Sequence, residues 1–226
     1  MTDFHNKLVK KPWGEEYLLY ENENVALWHL KIKEGFSTSL HAHPNKKTGL
    51  VVLQGAAKVS FLNGENRLFP AEKIMIRQGV FHKTTAVVGD VELIEIETPK
   101  DKLDLVRLED NYGRAGQPYE DESHYSQSSL TELKEPKLMG DNCIHYPLGK
   151  CIGRMVELRY PFKNGSHAKP YSSIYDDFTY VILKGHIKSG ELIVAGPGDV
   201  SYGKNLIQML EKFSTDNDIL VLTLQC

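Results

Sequence analysis

Ala26, Trp28, Leu30 and Ile32 alternate with Leu27, His29 and Lys31, a period of two that predicts a strand with His29 on the side opposite its apolar face. Residues 50–53 (Leu-Val-Val-Leu) form the short apolar run of a buried strand, ended by Gln54 and Gly55. Residues 58–62 predict the next strand, Asn63-Gly64 is a strong hairpin signal, and Arg67-Leu68-Phe69 is the return. Residues 74–76 and 91–96 add two more before Thr98-Pro99. Many short strands between regular turn signals predict an all-β sandwich or barrel.

From residue 100 the pattern changes. Residues 101–110 fit a helical turn or two, and residues 117–129 are polar and acidic, so 101–136 is expected to be a connector. Glu120-Asp121-Glu122 reads as a solvated patch, because adjacent carboxylates lack the spacing of a calcium loop. Strand periodicity then resumes and repeats the first half. An offset of 130 aligns Gly35 and Gly55 with Gly165 and Gly185, and residues 50–55 with 180–185. It sets Ala26, Trp28, Leu30 and Ile32 on Val156, Leu158, Tyr160 and Phe162, with the apolar faces in phase. The expected organisation is one β unit over 1–100, a connector over 101–136 and a second β unit over 137–226.

A 41% apolar, 25% charged chain of 226 residues can bury a sizeable core. The formal charge of −3 carries no basic excess for nucleic acid. No run approaches membrane-spanning length and the first residues lack an apolar signal region, so the cytoplasm is the expected location. Cys143, Cys151 and Cys226 have no CxxC spacing, and reduced thiols are expected.

The candidate chemistry lies in the first half. His41 and His43 stand two apart, which on a strand puts both imidazoles on one face. His82, in the turn-like segment after Gly79, is the third member of a candidate metal site. Three neutral imidazoles on a rigid scaffold leave coordination positions open, as a catalytic metal requires, and geometry alone admits Zn, Fe, Mn, Ni or Co. Glu95 is the candidate base for proton transfer, and Thr48, Lys46 and Lys83 are candidate substrate contacts. In the second copy His41, His43 and Thr48 become Tyr171, Ser173 and Phe178, and His82 becomes Met209 at the shorter offset of 127, so that copy is expected to be structural.

The pattern Gly-x5-His-x-His-x4-Thr48-x6-Gly, followed by Gly79-x-x-His82, resembles the two motifs of the cupin superfamily. With the repeat it implies a tandem cupin (bicupin) of two jelly-roll, double-stranded β-helix barrels. Pro12-Trp13-Gly14, Leu93-Ile-Glu95-Ile and the exit run from Leu105 through Arg107, Asp110, Tyr112 and Arg114 resemble the type II mannose-6-phosphate isomerase cupins over residues 10–115. Cupins carry a metal-binding Glu where this chain has Thr48, so the site is expected to be one charge more positive than the usual set and to bind its metal more weakly.

The resemblance implies a metal-dependent sugar-phosphate or nucleotide-sugar isomerase or epimerase in carbohydrate, including surface-polysaccharide, metabolism. Its partner would be a small sugar or sugar phosphate, and a homodimer would be in keeping. A three-histidine non-haem iron dioxygenase and a non-catalytic sugar-binding module are the alternatives.

Overall fold

The computed structural model describes residues 3–127, 130–136, 144–158 and 174–226. The chain divides into two compact units, 1–133 and 134–226. No helix among the described residues is long and apolar enough to cross a membrane.

The first unit contains β1 (Lys7–Lys11), β2 (Gly14–Glu21), β3 (Ala26–Ile32), β4 (Leu40–Ala42), β5 (Lys47–Phe61), β6 (Gly64–Leu68), β7 (Lys73–Ile76), β8 (His82–Thr98), β9 (Val106–Glu109) and β10 (Tyr125–Gln127). Neighbours run β10-β1-β2-β3-β8-β4-β9, and β5 pairs with β6, β7 and β8. Two long strands make this a barrel. The 15 residues of β5 run antiparallel to the 17 of β8, with register shifts on either side of Gln54 and Gly55. Such bulges bend a strand pair. The N-terminal part of β8 therefore meets β4, pairing His82 with His41, while its C-terminal part pairs with β3. The interior face carries Trp28, Leu30, Ile32, Leu50, Val52, Val59 and Leu93 in one apolar core.

The segment expected to be a connector belongs largely to this unit. Residues 106–109 form a strand rather than a helical turn, pairing with β4, and β10 pairs with β1.

The second unit contains β11 (Tyr146–Leu148), β12 (Cys151–Leu158), β13 (Thr179–Lys184), β14 (Ile187–Ser189), β15 (Leu192–Ala195), β16 (Val200–Tyr202), α1 (Gly203–Lys212), β17 (Ser214–Thr215) and β18 (Ile219–Gln225). Its pairings repeat those of the first: β12 and β13 both pair with β18, β13 with β16, and β14 with β15 and β17. The twinned glycines show why the repeat is visible in the sequence. Gly55 has φ of +76°, and a Cβ there would stand 2.4 Å from the carbonyl oxygen of Asp90. Gly185 has φ of +82°, and its Cβ would stand 2.7 Å from that of Asp218. Only glycine suits both the left-handed backbone and the close approach.

Register refines the alignment. Val52 and Ile182 take the equivalent partners Leu93 and Val221, as the offset of 130 requires. In the preceding strand Ile32 and Leu158 are the equivalents, pairing with Val91 and Ile219, an offset of 126. A shift of four keeps the faces in phase, so periodicity alone does not reveal it. Tyr160, Phe162, Gly165, Tyr171 and Ser173 lie outside the described residues. Met209 is no strand counterpart of His82, because it sits in α1.

The cysteines also differ from expectation. Cys151 and Cys226 form a disulfide across 75 residues of sequence, tying the end of the chain to β12, and Cys143 lies outside the described residues. The pairing spans β12 and β18, which the sequence does not show to be neighbours until the repeat is folded.

Candidate metal centre

His41, on β4, is placed opposite His82 at the start of β8 by strand register, and His43 follows just beyond β4. Ring centroids are 4.4 Å apart for His41 and His82, 4.9 Å for His41 and His43, and 5.4 Å for His43 and His82. The three imidazoles and the carboxylate of Glu95 each offer a ligand atom, all within 4.8 Å of one another, and all four residues are buried.

The backbone fixes which nitrogens are offered. Nδ1 of His41 donates to the carbonyl of Ser39 at 2.9 Å, Nδ1 of His43 to that of Asp104 at 2.6 Å, and Nδ1 of His82 to that of Val80 at 3.0 Å. A neutral imidazole with its proton on Nδ1 presents the Nε2 lone pair, so each ring is held as a metal ligand must be. Burial keeps the rings neutral. It lowers His43 to about 3 and His82 below its ordinary value, and His41, also beside His82 and His43, lies well below. Nε2 of His43 has no hydrogen-bond partner among the described residues, and its nearest anionic atom is Oε1 of Glu95 at 3.9 Å. Inward lone pairs around a buried carboxylate repel one another unless a cation joins them, so the donor set fits a divalent ion.

Glu95 thus overturns the expected charge deficit. The carboxylate absent at Thr48 comes instead from the facing strand. Glu95 continues the inward face of Leu93, in register with Trp28 and Leu50. Thr48 is buried on the same face, opposite Glu97, but it does not line the cavity. Lys83 lies one residue from His82, which puts its side chain on the other face of β8, away from the site. Lys46 lines the cavity. It is buried, with its ammonium 2.8 Å from Glu97 and 2.7 Å from the carbonyl of Asp101.

The cavity holds about 440 Å³ of atom-free space including its open mouth. Its lining contains a buried ionic network that hydropathy did not reveal. Lys102 lies 3.2 Å from Glu95, 3.3 Å from Glu97 and 3.5 Å from Glu16, with its ammonium 4.0 Å from the centre of the Trp28 ring. Burial alone would lower the pKa of this lysine, but Glu16, Glu97 and Glu95 outweigh it and raise it. Burial works against ionised Glu16 too, yet Lys102 and Lys11 bring its carboxyl down to about 2.

The polar segment after β8 supplies much of the wall. Lys102, Leu105, Arg107, Arg114 and Tyr119 all line the cavity. Glu120, read as part of a solvated patch, turns its side chain out of solvent and pairs with Lys11, Arg107 and Arg114, while Asp121 beside it is exposed. Tyr119 donates to Glu16, and the hydroxyl of Tyr112 donates to the carbonyl of Ser37. Arg114 also pairs with Asp110, so it pins the exit segment while facing the cavity.

Residues 1–110 match the family model described as mannose-6-phosphate isomerase C-terminal. The first unit is similar to that domain and has a cupin-type barrel fold. Mannose-1-phosphate guanylyltransferase ManC of Salmonella typhimurium is 32% identical over 111 residues. That match covers 47% of this chain and 23% of ManC, so the chain spans less than a quarter of the curated relative's length. Among solved structures, KdgF from Halomonas sp. aligns with a TM-score of 0.41 and 20% identity, over 45% of this chain and 94% of that one. The capsular polysaccharide assembling protein CapF from Staphylococcus aureus aligns with a TM-score of 0.42 and 18% identity, over 46% and 34%.

Proposed function

We propose that the first unit is a metal-dependent cupin acting on a sugar phosphate or nucleotide sugar as an isomerase or epimerase. One observation carries the reading: a buried set of three histidines and a glutamate opens onto a cavity walled by Lys46, Lys102, Arg107 and Arg114. A divalent ion bound there would act as a Lewis acid toward a carbonyl and its neighbouring hydroxyl. His41, His43, His82 and Glu95 would hold it, with Lys102 fixing the second oxygen of Glu95. Glu95 is therefore assigned as a ligand rather than a free base. Lys46, Lys102, Arg107 and Arg114, each paired with a carboxylate, would share their remaining donors with a phosphate or another anion. The similarity to a mannose-6-phosphate isomerase domain supports sugar chemistry.

The test begins with metal analysis of protein purified without chelators, followed by mannose 6-phosphate and NMR detection of fructose 6-phosphate. Stoichiometric Zn, Mn, Co or Ni with interconversion is the expected result. His41→Ala and His82→Ala should each abolish metal retention, and a His82→Ala variant that keeps its metal would rule out this ligand set. Stoichiometric iron with oxygen uptake would make the protein a dioxygenase. A metal-free protein that binds the sugar without converting it would make it a binding module.

A further inference from the structure

Every lysine and arginine that lines the cavity already has an anion of the chain's own. Lys46 pairs with Glu97 at 2.8 Å, and Lys102 lies among Glu95, Glu97 and Glu16. The other three, Lys11, Arg107 and Arg114, converge on one carboxylate, that of Glu120. Lys11 also has Glu16 at 3.0 Å, and Arg114 has Asp110 at 2.7 Å. Glu120 and Asp110 do not line the cavity themselves, whereas the three cations they hold do. Among the described residues five cations thus meet five carboxylates, and the protein alone offers an incoming anion no net positive charge.

We propose that Glu120 is a resident anion that keeps the cavity neutral until a divalent ion enters, so that an anionic ligand binds strongly only to metal-loaded protein. Glu95 is already balanced against Lys102, so the ion's two charges would stand uncompensated, and a dianion such as a phosphate ester would neutralise them. No contact between Glu120 and the ligand is needed, because charges act on one another strongly where little water separates them. Arg114, whose side chain is 15% exposed against 3% for Lys11 and for Arg107, is the member of the trio a ligand would meet. Without Glu120 the trio would form a positive cluster, and the cavity would take anions with or without its metal. By linkage, an anion that prefers the metal-loaded protein must tighten the metal by the same factor. This inference rests on the metal-dependent reading above, and it adds an order of binding, metal first and anion second.

The experiment titrates sulfate, a dianion that leaves zinc in solution, into chelated and zinc-loaded protein at constant ionic strength, followed by amide NMR. Zinc-loaded wild type should bind sulfate at least about tenfold more tightly than chelated wild type. Competition with a chromophoric chelator should show sulfate tightening zinc by the same factor, a measurement that needs no variant. Chelated Glu120→Gln should bind sulfate about tenfold more tightly than chelated wild type, and Glu120→Asp, which keeps the charge, should not. A loosened wall would weaken binding, so this gain reports the charge and not the packing. Glu120→Ser, which leaves room for water, replaces an amide variant that does not fold. Equal sulfate affinity with and without zinc, no sulfate bound by either form, or a folded Glu120→Gln that binds no more tightly than wild type would each overturn the inference and leave the metal centre standing. A wild type that takes up no divalent ion would overturn both.

Discussion

The two units share a frame and differ in what they put inside it. Each bends a strand pair at a glycine pressed against an aspartate carbonyl, Gly55 on Asp90 and Gly185 on Asp218. By strand register the position of Leu93 is taken by Val221, that of Glu95 by Thr223 and that of Glu97 by Gln225. Among the described residues of the second unit no charged side chain and no histidine is buried, and Tyr180, Ile182, Ile187, Leu206, Leu210 and Val221 share one apolar cluster. The frame therefore needs no charges. The carboxylates, lysines and imidazoles of the first unit are an addition that costs desolvation, which the proposed metal and ligand would offset.

That contrast can be broken first by acid. The three histidines have folded-state pKa values below their ordinary 6.5, with His43 at about 3. Below pH 6.5 the unfolded chain binds protons that the folded site refuses, so stability is present above 6.5 and is lost as pH falls toward the folded values. Chelated protein should lose up to about 4 kcal/mol per pH unit from the three together. Denaturant titrations between pH 7 and 5, with hydrogen exchange to locate the loss, should show it in the first unit, and equal acid sensitivity in both units would break the contrast.

Glu16→Gln comes next. It strips a buried anion from Lys11 and Lys102 and should cost the first unit about 3–5 kcal/mol, measured by urea unfolding. A cost under about 1 kcal/mol would mean that the network is solvated. The smallest effect belongs to the second unit. Cys226→Ser should destabilise it by about 2–4 kcal/mol, because the disulfide closes a long loop in the unfolded chain. Metal retention by the first unit should not change.

The sequence exposes the barrel well because a strand with one apolar face declares its period, and the repeated glycines mark the bends. It exposes His41, His43 and His82 because few other reasons place imidazoles two apart beside such turns. It conceals the role of Glu95 because β8 is buried on both faces there, with Ile94 and Ile96 turned the other way. Alternation cannot tell inside from outside in such a strand. Lys102, Glu16 and Glu120 are concealed for the opposite reason. Charged residues read as solvated, and only their mutual pairing in three dimensions makes burial tolerable. The polar wall-forming segment looks like a connector for the same reason, and the disulfide partners are far apart in sequence.

Asp104 carries a consequence for how the protein is made. Its carbonyl accepts from Nδ1 of His43, and its carboxylate accepts from the backbone amides of Asn45 and Lys46 and from the side-chain amide of Asn45. A growing chain that has emerged from the ribosome only as far as residue 98 already owns all four proposed ligands. It cannot yet fix the tautomer of His43 or settle the loop that follows it. Assembly of the centre thus waits on a residue that binds nothing itself, and a nascent chain halted between residues 98 and 104 would have its histidines but no finished site.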